Sequence, residues 1–308
     1  MSKIAFIFPG QASQYVGMGQ DLYEKYGIAK ELYDKANNIL GFDIKKVSFE
    51  GPLEDLKQTN ITQPAIFIMS VILDRILKEK GFKPEMTAGH SLGEYSAHVC
   101  AETMSFENAL EVVKLRGSEM QKAGESNPGT MAAIVGLKDE NIVIEACKEA
   151  SVVGVVQAAN FNSPGQTVIS GSIDGVRKGM EIAKEKGAKI VKELVVSGAF
   201  HSPLMESAVK PLTEKLDTVT FNNPKITVVP NVTAKMSTDK EEMKKLLIDQ
   251  VMSPVKWTKS VEEMISNGID TFIEVGPGNV LKGLGKRISR DVRFFGVQNV
   301  EDIENLEI

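Results

Sequence analysis

The chain has only two cysteines, Cys100 and Cys147, among 308 residues. No spacing pattern joins them, which argues against a disulfide framework and against a zinc site, so no metal is expected. A reduced, cytoplasmic compartment fits better than a secreted one. Histidine is nearly as scarce, with three in the chain. No run of about 18 apolar residues stands out, so no membrane partner is expected. The N-terminal run Ile4-Ala5-Phe6-Ile7-Phe8 is too short for a signal peptide, and Pro9-Gly10 ends it. Basic clusters are missing too. Lysine and glutamate are interspersed and the net charge is −5, which argues against nucleic acid, since phosphate binding needs a concentrated basic surface. No internal repeat or low-complexity tract interrupts the chain.

What is present is an alternation of apolar strands and amphipathic helices. Residues 4–8 read as a buried strand, followed by a helical pattern over 19–40. A strong helix is expected over 64–80, with Pro64 in its first turn and Gly81 closing it. Residues 86–89 read as a short strand, and 92–100 and 106–123 as helices, the second N-capped by Ser105. After the turn-rich stretch Gly124–Gly129, strands at 130–136, 152–160, 166–171 and 189–196 alternate with helices at 139–150 and 174–186. This β-α-β-β-α-β order is the ferredoxin-like pattern. Beyond residue 200, helices at 203–217, 240–251, 258–267 and 279–289 accompany an extended stretch at 226–229 and strands at 271–275 and 292–297. The expected fold is α/β: a large subdomain (1–126 and 198–308) with a mostly parallel sheet, and an inserted ferredoxin-like subdomain (127–197).

Gly89-His90-Ser91-Leu92-Gly93 has the form of a nucleophile elbow, with a strand before it and a helix after it. A serine in so tight a turn crowds the residues two places to either side, and glycine relieves that crowding. The hydroxyl then stands at a helix N-terminus, where free N–H groups favour a developing oxyanion. The Leu92 N–H is the natural first donor. A plain helix N-cap serine gives the same pattern.

A serine nucleophile needs a base. His90 is adjacent to Ser91, and neighbouring side chains on an elbow diverge. His98 lies seven residues along the next helix, roughly 10 Å away at 1.5 Å per residue. His201 remains, in a loop able to reach over the mouth of the sheet. No Asp or Glu marks itself as a third member; a backbone or amide carbonyl could orient the ring instead, by accepting its other N–H.

In the helix from Ser105, Phe106, Ala109, Val113 and Met120 share one face, and Arg116 falls on it. A cation there must reach the surface or meet an anion. Two readings stand: a structural ion pair, or a grip on a substrate carboxylate through the bidentate fork.

Seven segments now make a pattern: Phe8-Pro9-Gly10-Gln11-Ala12-Ser13-Gln14, Thr62-Gln63-Pro64-Ala65, Gly89 to Ala97, Arg116-Gly117, Asn160-x-Asn162-Ser163-Pro164-Gly165-Gln166, Gly198-Ala199-Phe200-His201-Ser202, and Glu274-Val275-Gly276-Pro277-Gly278. In that order they resemble the malonyl-CoA:acyl carrier protein transacylases of bacterial fatty-acid synthesis, across nearly the whole chain. The resemblance implies an α/β-hydrolase-like large subdomain and a ping-pong reaction. In it Ser91 attacks malonyl-CoA with His201 as base, and acyl carrier protein then takes the malonyl group. It further implies an oxyanion hole from the backbone of Gln11 and Leu92, Arg116 as carboxylate clamp, and Gln250 orienting His201 through a carbonyl. Asn160 and Asn162 would lie near the thioester arm. Phe200 resembles the malonyl-selective form of its loop. The CoA thioester would be substrate, with no separate cofactor, and a monomer is expected.

Two rivals compete: a lipase- or esterase-type hydrolase using the same elbow, and a non-catalytic carrier-protein docking module. Supply of a polyketide pathway would use the same chemical step as fatty-acid synthesis.

Overall fold

A computed structural model describes residues 2–308. Among the described residues nine strands form two sheets: Ile4–Phe8 (β1), Met86–Gly89 (β2), Gly129–Val135 (β3), Val156–Ser163 (β4), Gln166–Ser172 (β5), Ile190–Glu193 (β6), Thr227–Val228 (β7), Thr271–Val275 (β8) and Arg293–Val297 (β9). The first sheet runs β7-β2-β1-β8-β9, every neighbouring pair parallel. Its central strand is apolar on both sides. Phe6 and Phe8 enter the larger core with the helix Thr59–Glu79, while Ala5 and Ile7 enter a second core with Trp257, Val261 and Phe272. Period-two alternation thus feeds two buried layers, as a parallel sheet covered on both faces requires.

The second sheet is antiparallel, in the order β4-β5-β3-β6. The helices Glu140–Ala150 and Ile173–Glu185 pack on it around their own core of Ile134, Val143, Ile169 and Val176. That is the ferredoxin-like arrangement, and with the parallel sheet it gives the expected α/β architecture. Strand β4 is tied to the large sheet's side of the molecule. The Phe161 N–H donates to Val255 C=O at 2.9 Å, and the Val255 N–H donates to Ala159 C=O at 2.8 Å.

Several elements depart from the sequence reading. The helix expected to start at Pro64 spans Thr59–Glu79, with Pro64 inside it. An interior proline removes one N–H bond and strains the turn before it. Burial of nearly every side chain from Thr62 to Leu77 outweighs that cost. This helix is long and apolar enough to cross a membrane by length and composition, contrary to the expectation of no such run, and 83% of the apolar window is buried inside the fold. The helical pattern over 19–40 breaks into Gln20–Lys25 and Gly27–Leu40, because Tyr26 is extended and Gly27 is a weak helix former. Strand β4 begins at Val156 rather than at 152, since Val152 and Val153 lie exposed in a turn. Strand β6 stops at Glu193, leaving residues 194–199 as the loop that leads to His201. Three short helices, Ile44–Glu50, Leu53–Leu56 and Val300–Glu304, carry no signal noted in the sequence.

Candidate active site

The strands β1, β2 and β8 all point their C-terminal ends at one place, where open α/β sheets collect ligands. Strand β2 ends at Gly89, and the helix Gly93–Cys100 begins four residues later. Between them Ser91 adopts φ 51°, in the left-handed region. A Cβ on Gly89 would run into the backbone of Gly93, and one on Gly93 would run into the Phe8 carbonyl. Only glycines therefore let the elbow close.

His201 also has a positive φ, 57°. Its main-chain carbonyl accepts a hydrogen bond from Gln157 Nε2 at 2.7 Å, which pins the loop to β4. The imidazole lies between two partners. Nε2 is 2.8 Å from Ser91 Oγ, and Nδ1 is 2.8 Å from the main-chain carbonyl of Gln250. A carbonyl only accepts, so Nδ1 carries the proton and the Nε2 lone pair faces the serine. Burial, helped by the nearby Arg116 charge, pulls the His201 pKa down to about 3. The ring is therefore neutral, and able to take a proton, through the ordinary range.

Arg116 is 1% exposed, inside the helix Phe106–Ser126. Its Nη1 donates to Gln63 Oε1 at 2.8 Å; its Nη2 donates to Gln250 Oε1 at 2.9 Å and to Ser91 Oγ at 3.1 Å. Its Nε has no partner, and the guanidinium sits over the Tyr95 ring, 5.4 Å from the centroid. Among the described residues no carboxylate pairs with it; its partners are amide and hydroxyl oxygens. Of the two sequence readings, the structural ion pair is thus not formed. Cation–amide contacts only partly offset the cost of burying a charge.

The remaining expected residues line one cavity of about 240 Å³, beside Ser91, Arg116 and His201: Gln11, Leu92, Asn160, Asn162 and Phe200. Among the described residues, the backbone N–H groups of Gln11 and Leu92 have no protein acceptor. The Ser91 N–H does have one, Asn231 Oδ1 at 2.7 Å. Asn162 Oδ1 meets His90 Nε2 at 2.8 Å, which turns His90 away from the serine. His98 is fully buried, with Nδ1 3.0 Å from Thr103 Oγ1. Gln250 does not line the cavity; it reaches the site through its carbonyl and amide.

Three polar residues were not assigned roles from sequence. Gln63 and Glu94 lie inside quoted motifs, but their chemistry is invisible without the fold. Asn231 follows Pro230 in a loop with no spacing signal at all. Glu94 is fully buried, and burial lifts its pKa to about 7. Among the described residues, no group of three or more His, Cys, Asp or Glu is gathered as a metal site.

The profile of the acyl transferase domain family matches residues 5–306. The malonyl CoA-acyl carrier protein transacylase of Bacillus subtilis is 44% identical over 304 residues, 99% of this chain and 96% of that one. The crystal structure of an acyl carrier protein S-malonyltransferase from Vibrio cholerae superposes with TM-score 0.95 at 44% identity, covering 99% and 100% of the two chains. A malonyl-transacylase solved in complex with its type II polyketide acyl-carrier protein superposes with TM-score 0.94 at 39% identity, covering 98% of each.

Proposed function

The chain belongs to the acyl transferase family, and from that premise we propose how its own residues carry an acyl group from a thioester to a carrier. It is an acyltransferase that moves malonyl from malonyl-CoA to acyl carrier protein. In the proposed first half-reaction, Ser91 Oγ attacks the thioester carbonyl while His201 Nε2 takes its proton. The tetrahedral oxyanion turns toward the Gln11 and Leu92 N–H groups, which supply preorganised donors. Collapse expels CoA, whose sulfur takes the proton from Nε2, and a malonyl-serine ester remains. In the second half-reaction the phosphopantetheine thiol of the carrier gives its proton to Nε2 and attacks the ester. Ser91 leaves and recovers the proton. The two halves form a ping-pong cycle.

The observation that carries the malonyl assignment is Arg116. A buried guanidinium without a carboxylate partner, 3.1 Å from the nucleophile, invites an acyl group that brings its own carboxylate. A lipase-type acyl chain would bring no carboxylate to it. Nucleophile, base, oxyanion donors and cationic clamp all come from the chain, so the CoA thioester is substrate and no separate cofactor enters. Phe200, beside His201 on the cavity wall, limits the room next to the acyl carbon, and Asn160 and Asn162 flank the thioester arm. The reading also takes the chain as a cytoplasmic monomer, for which the two free, buried cysteines are in keeping.

Intact-mass measurement tests the proposal. The protein is mixed with malonyl-, methylmalonyl- or acetyl-CoA and then with holo acyl carrier protein. A malonyl adduct that disappears as the carrier gains it is expected, with none in Ser91→Ala. Release of free malonate only, with no transfer to the carrier, would leave a hydrolase instead. Absence of any adduct on the native chain would leave a docking module.

A further inference from the structure

Serine disfavours the left-handed backbone that Ser91 adopts, so the elbow has to be held from outside. One side chain spans it. Asn231 Oδ1 accepts the Ser91 N–H at 2.7 Å, and Asn231 Nδ2 donates to the Gly89 carbonyl at 2.6 Å. The two ends of a single amide thus clamp both sides of the turn. Asn231 is fully buried and is itself fixed at its backbone. Its N–H donates to Glu94 Oε2 at 2.9 Å, and its carbonyl accepts the Lys256 N–H at 3.1 Å. The same Glu94 oxygen accepts Gln250 Nε2 at 2.9 Å. Gln250 in turn donates to the Ser91 carbonyl at 3.0 Å and receives Arg116 Nη2.

We propose that Asn231 is a positioning residue for acyl transfer: its amide holds Ser91 in the strained turn that aims Oγ at His201, with Glu94 fixing Asn231 from behind. The proposal rests on the reading of Ser91 as nucleophile. The chemistry required at position 231 is narrow. The turn presents one N–H and one C=O within reach of one side chain, and the asparagine amide meets both, with its acceptor and its donor on separate atoms of one short planar group. Aspartate keeps the acceptor and loses the donor. Leucine, of similar size, offers neither. The clamp has a second effect. It occupies the Ser91 N–H, which leaves the Leu92 and Gln11 N–H groups as the donors for the oxyanion.

The test compares Asn231→Ala and Asn231→Asp with the native chain by thermal unfolding, steady-state malonyl transfer and phosphonylation of Ser91 by a fluorophosphonate. For Asn231→Ala, kcat is expected to fall on the order of 100-fold, as small misplacement of a reacting group does. KM for malonyl-CoA should stay within about twofold, because the substrate contacts are untouched. Phosphonylation should slow in step. Asn231→Asp should fall between the two, and it decides by the same readouts if the alanine variant does not fold. A residue that only stabilises the fold would lower Tm and leave kcat and phosphonylation per folded molecule at native values, which would overturn the proposal. If the native chain is phosphonylated at Ser91 yet takes no malonyl group, the malonyl assignment has failed rather than the clamp.

Discussion

Arg116 Nη2 donates to Ser91 Oγ at 3.1 Å, so the proposed clamp and the proposed nucleophile touch before any substrate enters. A carboxylate gripped by this guanidinium is held within one short acyl chain of the nucleophile. Replacing Arg116 by alanine removes charge-assisted bonds worth about 1.5–3 kcal/mol, or roughly one to two orders of magnitude in kcat/KM for malonyl-CoA. Acetyl-CoA, which has no carboxylate, should lose far less or gain. Arg116→Lys keeps the charge and loses the fork, and should recover only part of the malonyl rate. The ratio of kcat/KM values for the two thioesters is the measurement. An equal loss for both would make Arg116 a structural residue.

The His201 pKa near 3 has a kinetic consequence. A general base works when neutral, and lowering its pKa extends the neutral form downward. The rate of Ser91 phosphonylation should stay level as pH falls through 6.5, the ordinary histidine value, and decline only on approach to 3. Arg116 is the second cause of the lowering, after burial. In Arg116→Ala the acid limb should therefore move upward, while burial keeps it below 6.5. A limb near 6.5 in the native chain would mean that His201 is solvated or is not the base.

Much of this site can be read from residue pattern. Gly89 is required by contact with Gly93 four residues on, so part of the elbow's geometry is local, whereas Gly93 is required by the Phe8 carbonyl on a neighbouring strand. His201 can be reached because the chain has so few histidines. The apolar stripe places Arg116 on a buried face, since helical period alone decides that. Pattern stops where a contact joins distant segments. Asn231 meets Ser91 across 140 positions, and Gln250 meets it across 159, through hydrogen bonds that no periodicity encodes. Element edges fail for a related reason. Tertiary burial carries the helix Thr59–Glu79 through Pro64 against local propensity.

Phe200 lines the cavity and is 8% exposed, next to His201, the proposed base. Substituting serine there enlarges the cavity beside His201, where the proposed acyl group would sit. A methyl group in an apolar pocket is worth about 1–3 kcal/mol, so Phe200→Ser should raise the methylmalonyl-to-malonyl ratio of kcat/KM on the order of tenfold or more. The ratio is the quantity to read, because loss of the ring also loosens the core. An unchanged ratio would place the selectivity elsewhere on the wall.

The four buried carboxyls and imidazoles with the largest shifts do most to shape stability against pH. His98 and His201 have folded values near 3 against an ordinary 6.5, so between those limits the unfolded chain binds more protons and stability is lost as pH falls. Glu94 and Glu274 have folded values near 7 against an ordinary 4.5, so there the folded chain binds more protons and stability is lost as pH rises. Between 4.5 and 6.5 the two pairs oppose each other; below 4.5 the glutamate pair no longer contributes, and the histidines act together with Asp43, Glu107, Asp270 and Glu304, whose carboxyls are held below their ordinary values in the fold. Urea unfolding should therefore show a broad maximum over that interval and a steep acid limb. His98→Asn keeps a polar partner for Thr103 and removes one of the three lowered histidine titrations. It should flatten the limb between 4.5 and 3 by about one proton, roughly 1.4 kcal/mol per pH unit. The slope is read rather than the absolute stability, since the smaller side chain also leaves a void beside Phe221. An acid limb as steep as that of the native chain would mean that His98 is protonated in the fold, and the buried Glu94 carboxylate, 4.0 Å from its Nε2, would be the partner to examine next.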